Sequence, residues 1–255
     1  MKTLRVLLAV LAVAGSPLVH AIGNLADVTI VDRTTGRTLP VVWNGGKAYV
    51  EGRPGNEYEV VVRNNRGEDL LAVMSVDGVN VLSGQTANAG QGGYVLSAWN
   101  RFSVRGWRKT LDEIAAFYFT SLGDSYAART DRPGNVGVIG VALFQRKRVE
   151  PPPPAAYESE EMLRSQAKSR ADSAGAAATQ AAPSAPLGTG HGRREESHVT
   201  WTEFDRASDQ PAETIAIYYD SHRNLVARGI IPAAPAYGAR DPNPFPASFA
   251  PDPWR

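Results

Sequence analysis

The run Leu70 to Leu82, LLAVMSVDGVNVL, is hard to fold as anything but a β-hairpin. Two Val- and Leu-rich stretches meet at Asp77-Gly78. The two-residue turn whose twist suits a hairpin needs positive φ at both positions, which an Asp-Gly pair tolerates. Just upstream, Glu57 to Asn64 (EYEVVVRN) puts Tyr58, Val60 and Val62 on one side and Glu57, Glu59 and Arg63 on the other. That is the period of a half-buried strand. Leu70 to Val76 is apolar on both sides and predicts a central strand. Val79 to Leu82, Gly93 to Leu96, Arg101 to Arg105, Ile114 to Thr120 and Val136 to Gln145 are further strand candidates, although Leu111 to Ala116 also fits one helical turn. Gly137 and Gly140 in the last of these mark a bulge or a close backbone approach.

Many short strands with turn residues between them predict an all-β fold, an antiparallel β-sandwich or a small barrel-like sandwich. The chain has no cysteine, so the core has to stabilise the fold without disulfides. An outer-membrane barrel fits poorly, because its strands would be about 9–11 residues long with aromatic girdles.

Residues 1–21 read as a secretory signal peptide: Lys2 and Arg5, then the apolar run Val6 to Val13, a Gly-Ser-Pro break, and Val19-His20-Ala21 before the cleavage point. Residues 22–148 are the β-sandwich domain. At Val149 the composition changes, and 149–197 read as a Pro/Ala-rich linker opened by Pro151 to Pro154, with room for a helix from about Ser159. In 198–231, Val199 to Phe204, Glu213 to Asp220 and Asn224 to Ile231 read as C-terminal strands docking on the sandwich. Seven prolines then make 232–255 an irregular tail.

The formal net charge is +1, and −1 once Lys2 and Arg5 are gone. A near-neutral chain of this kind carries no general attraction for nucleic acid, which is not expected as a partner. No stretch after the leader is long and apolar enough for a transmembrane segment.

Several segments resemble a family of uncharacterised exported bacterial proteins: SVDGVNVLSG (Ser75 to Gly84), GYVL (Gly93 to Leu96), GWR (Gly106 to Arg108), DSYAART (Asp124 to Thr130) and NVGVIGVALF (Asn135 to Phe144). GTGHGRRE (Gly188 to Glu195), TIAIYYDS (Thr214 to Ser221) and NLVARGI (Asn224 to Ile230) are similar to the same family. The resemblance implies an exported globular protein and carries no activity or site residue with it.

Gly123-Asp124-Ser125 has the form of a GDS-esterase nucleophile block. That chemistry needs a histidine shortly after an aspartate and oxyanion donors, and Asp220-Ser221-His222 has the wrong spacing. Ser125 is therefore expected in a turn. A metal site could draw on His191, His198 and His222 with Asp205, Asp220, Glu195 or Glu196, but no two of the histidines stand at helical i, i+4 ligand spacing and His191 lies in a Gly-rich stretch, so none is expected. Asp77-Gly78-Val79-Asn80 lacks the carboxylates of a calcium loop. Trp43, Trp107 and Trp201 adjoin strand patterns and are expected in the core, whereas Trp99 and Trp254 are expected exposed.

The sequence thus assigns no catalytic, cofactor-binding or metal-ligating residue and implies no cofactor. The expectation is an exported envelope protein, in the periplasm or else extracellular or associated with the outer membrane. It would act without catalysis, through a binding or structural surface. The alternative is an exported hydrolase with dispersed catalytic residues. The partner class is an envelope protein, or a protein that binds the Pro-rich segments as peptide ligands.

Overall fold

The computed structural model describes residues 22–148 and 185–233. Residues 1–21, read above as a signal peptide, the segment 149–184 with its expected helix, and the tail from 234, including Trp254, lie outside the described residues. The protein is an all-β sandwich of two sheets.

The chain enters through β1 (Ala26–Asp32), where ADVTIVD buries every second residue. A short β2 (Arg37–Thr38) returns beside β1, and after Pro40 the chain crosses to the other sheet as β3 (Val41–Asn44) and β4 (Lys47–Glu51). β5 (Glu57–Asn64) pairs along all of β1. β6 (Leu70–Val76) and β7 (Val79–Asn80) form the Asp-Gly hairpin, with Asp77 at φ 53° and Gly78 at φ 72°. β8 (Tyr94–Leu96) pairs with β6, and β9 (Arg101–Val104) with β5. The chain turns at Arg105 into β10 (Gly106–Arg108), which pairs with β11 (Glu113–Ser121). β12 (Val138–Gln145) lies against β6. After the undescribed segment come β13 (Leu187–Glu196), β14 (Glu213–Asp220) and a short helix α1 (His222–Ala227). One further helical turn, Tyr126–Arg129, follows β11.

The first sheet contains β13, β11, β10, β9, β5, β1 and β2; the second runs β3-β4-β14-β12-β6-β7, with β8 also on β6. Pairing is antiparallel except for β14 on β4, which is parallel. The core between them holds Val28, Ile30, Tyr58, Val60 and Val62 from one sheet and Met74, Ile139, Val141, Ile215 and Ile217 from the other. β6 is apolar on both faces because its outer residues Leu71 and Val73 pack with Phe144 under Phe204 and Val95. Tyr49 on the outer face of β4 is covered by Leu225 and Ile230, in and just beyond α1.

Four sequence expectations change. Leu187–Glu196 is a full strand, not linker. Its glycines stand where the neighbouring strand comes too close for a side chain: a Cβ on Gly190 would lie 2.2 Å from the Tyr118 ring and one on Gly192 2.7 Å from the Ala116 carbonyl. Val199 to Phe204 forms no strand; this stretch crosses the sandwich end, with Val199 N–H on Leu111 O and the Lys147 N–H on Asp205 O. Asn224 to Ile231 is not a strand, because Ser221 caps a helix by accepting from Asn224 N–H and Gly229 at φ 67° ends it. Leu111 to Ala116 leads into β11 and contains no helical turn.

Candidate functional site

The two ends of the sandwich differ in character. At the upper end, where Tyr58, Asp77, Val138, Leu187 and Asp220 lie, four polar side chains form a buried chain between the sheets. Tyr58 Oη is 2.6 Å from Thr189 Oγ1, which is 2.7 Å from Tyr219 Oη, and Tyr219 donates to Asp77 Oδ1. All four residues are no more than 2 % exposed. Asp77 Oδ1 also accepts the Gly137 N–H at 2.9 Å and Oδ2 the Thr189 N–H at 2.7 Å. Burial pushes the Asp77 carboxyl up to about 6, although the Tyr219 hydroxyl and the backbone N–H groups favour its charged form. Burial, and next the Asp77 charge, holds the phenols of Tyr58 and Tyr219 well above their ordinary range.

Asp77 shares a task with Asp220. β13 is an edge strand, and its Leu187 N–H goes to Asp220 Oδ1 at 3.2 Å, one strand repeat before the Thr189 N–H goes to Asp77. Two carboxylates of the second sheet thus satisfy the free edge of the first, which would otherwise present unpaired donors. Asp220 also accepts from Ser221 N–H and Asn224 Nδ2. These groups hold backbone, and their burial keeps a substrate away.

Beside them is a cleft of about 420 Å³ lined by Glu51, Arg53, Ser121, Leu187, Ser221 and His222 among others. His222 Nδ1 is 2.9 Å from Glu51 Oε2, the pairing that orients a general base. The hydroxyls beside it are engaged elsewhere: Ser121 Oγ donates to Asp124 Oδ2 and Ser221 Oγ caps α1. The cleft holds an acid–base pair, and among the described residues no hydroxyl is hydrogen-bonded to the imidazole.

Ser125, the candidate nucleophile of the GDS block, is buried. Its Oγ donates to Leu122 O and accepts the Ala128 N–H, capping the Tyr126–Arg129 turn. Ser125→Ala is expected to cost about 1 kcal/mol of stability, the worth of an N-cap, and to leave any function unchanged. Thermal melting beside an activity or binding assay checks both halves.

The histidines are not brought together. His191 lies on β13 with its ring 5.6 Å from that of Tyr126, and partial burial, then the Lys109 charge, lowers its pKa. His198 pairs with Asp112 at the lower end and His222 with Glu51 at the upper. Glu195 is held by Arg33 through two bonds of 2.9 and 3.0 Å. Among the described residues no group of three His, Asp or Glu side chains is placed to hold a metal ion.

The tryptophans depart from expectation. Trp107 is in the core, its indole donating to Gly190 O at 3.2 Å, but Trp43 is 57 % and Trp201 88 % exposed. Trp99 is exposed as expected, at φ 59°, with its N–H on Arg66 O. Trp99 and Trp201 both lie at the lower end, where Leu25, Asn64, Leu70, Gln145 and Glu213 meet. Trp201 is exposed because its segment bridges strands without joining them.

No helix among the described residues is long and apolar enough to cross a membrane. Compared with family models, with curated proteins and with solved structures, the chain matches none.

Proposed function

We propose that the protein is exported and acts in the bacterial envelope as a non-catalytic binding or structural module. The observation that carries this reading is the exposure of Trp99 and Trp201 on a backbone that is itself fixed. The Trp201 segment is tied to the first sheet by Ser197 N–H on Asp112 O and Val199 N–H on Leu111 O. It is tied to the second by Lys147 N–H on Asp205 O and Ala207 N–H on Gln145 O. Large aromatic side chains presented without ordering cost are the residues from which interfaces draw most of their energy. The buried carboxylates, in contrast, are committed to backbone donors.

Two measurements test the reading. Intact mass of the protein from the envelope fraction should begin at Ile22, after Val19-His20-Ala21; a retained Met1 would refute export. Immobilised protein should retain an envelope component that the Trp99→Ala/Trp201→Ala double variant does not, at unchanged melting temperature. Identical capture by the two would overturn the binding surface.

A further inference from the structure

β14 is an interior strand of the second sheet for only part of its length. On one side it pairs with β12 from Glu213 to Tyr218. On the other, pairing with β4 begins at Ile217, opposite Ala48. The β3–β4 hairpin turns at Gly45-Gly46, with Asn44 opposite Lys47 as its last pair, so among the described residues no strand lies beside Glu213 to Ala216 on that side. The Tyr219 N–H bonds to Gly137 O on the β12 side. Because both peptide groups of a strand residue face one neighbour and the direction alternates, Thr214 turns both of its groups toward the gap and Ala216 its N–H, while the Ala216 C=O meets Ala48 where the pairing with β4 begins.

The gap is a notch of about 480 Å³. Ile22 and its neighbours wall one side, Trp43 and Lys47 the other, and Thr214, Ala216 and Tyr218 lie along it. Its walls are fixed: Asn24 N–H and Leu25 N–H bond the two oxygens of Glu213 at 2.8 and 2.7 Å. That spends the Glu213 carboxylate. Lys47 stands over the Tyr218 ring, 5.1 Å from its centroid, and no carboxylate of the described residues lies within ion-pair distance of it.

We propose that the notch binds an extended polypeptide segment of another protein, which adds a short strand to β14 and sets an acidic residue against Lys47. What is unpartnered there is a strand edge, and the ligand that completes a strand edge is another peptide backbone at strand spacing. The stretch Pro242 to Pro246 of the chain's own tail is a poor occupant, because Pro242, Pro244 and Pro246 remove N–H groups at every second position, the spacing at which a ladder needs them. Trp43 supplies an apolar wall for one side chain of the incoming strand. The inference rests on the reading of the protein as a binding module and gives that module a ligand class.

The test uses the ¹⁵N-labelled protein and an acetylated, amidated hexapeptide, Thr-Val-Thr-Val-Glu-Val, beside the same peptide N-methylated at alternate residues. The amides of Thr214 and Ala216 and the Trp43 indole should shift on titration to ~2 mM, a range suited to a short added strand. N-methylation should weaken binding about tenfold, the worth of a pair of backbone hydrogen bonds. Lys47→Ala should weaken it about threefold, as for a partly exposed ion pair. Unmoved Thr214 and Ala216 amides, shifts confined to other surfaces, or equal binding of the N-methylated peptide each overturn the proposal. Unaffected amides in β5 and β6 report that each variant is folded. If the peptide fails while the Trp99/Trp201 variant still loses its captured component, the notch is refuted and the binding module stands.

Discussion

Replacing Asp77 by alanine is expected to destabilise the protein by about 2 kcal/mol at pH 7 and by about 5 kcal/mol at pH 4. The variant strands the N–H groups of Gly137 and Thr189, which Asp77 accepts at 2.9 and 2.7 Å in a fully buried site. Each orphaned donor costs about 1–3 kcal/mol. The Tyr219 hydroxyl is less affected, since it can turn to Thr189 Oγ1, 2.7 Å away. Alanine at φ 53° adds about 1 kcal/mol of backbone strain. Against these losses stands the removal of a buried charge.

The sign of the pH dependence follows from that charge. The Asp77 carboxyl titrates near 6 in the folded protein against 3.8 for the free side chain, so the folded state binds its proton more tightly. Its contribution to stability is fully present below about pH 3.8 and is lost as the pH rises through about 6, a change of about 3 kcal/mol. Alanine abolishes this term while every other carboxylate remains. The gap between wild type and variant should therefore widen as the pH falls, the reverse of what loss of a salt bridge would give. A gap that stays constant or narrows between pH 7 and pH 4, in parallel urea titrations, would show that Asp77 is not the group titrating.

Much of the sandwich was legible because its signals are local. Asp77-Gly78 closes the expected hairpin, the alternation of Glu57 to Asn64 is β5, and the two-sided apolarity of Leu70 to Val76 marks a strand covered on both faces. What escaped has physical reasons. β13 carries glycine where other strands carry valine, because Tyr118 and the Ala116 carbonyl fill that space. The alternation of Gly188, Gly190 and Gly192 is its only local trace. The helix α1 was masked by Leu225, Val226, Ile230 and Ile231, yet Ser221 at its start and Arg228-Gly229 at its end are ordinary helix boundaries. The role of Asp77 as acceptor for Gly137 and Thr189 joins residues far apart in sequence and has no local signature. The notch beside β14 is set by where the β3–β4 hairpin turns, which no pattern within β14 records.

The largest expected effect concerns the chain after residue 184. A chain ended at Arg148 should not fold, although it keeps most of the strands. It lacks β14, which stands between β4 and β12, and β13, the partner of β11 along its whole length. Leu187, Ile215, Ile217, Tyr219 and Leu225 are each buried to within a few per cent. At about 1.5–3 kcal/mol for each large side chain their loss is about 10 kcal/mol, the size of a domain's entire stability. Covalent connection matters less than reach. β12 ends at Gln145 at the lower end and β13 begins at Leu187 at the upper end, so the connection has to span the length of β12, about 26 Å at 3.3 Å per residue. A Gly/Ser segment of about 25 residues has that root-mean-square extension. Put in place of residues 149–184, it should keep the melting temperature within about 2 °C, because stability depends only weakly on the length of a flexible loop. Joining Arg148 directly to Ala185 should behave like the truncation, since β13 then cannot reach the upper end while β12 stays in place. Supplying residues 185–233 as a separate chain should restore cooperative melting and solubility to the chain ended at Arg148. If that shortened chain melts cooperatively at the temperature of the full chain without the added segment, the two sheets do not depend on β13 and β14.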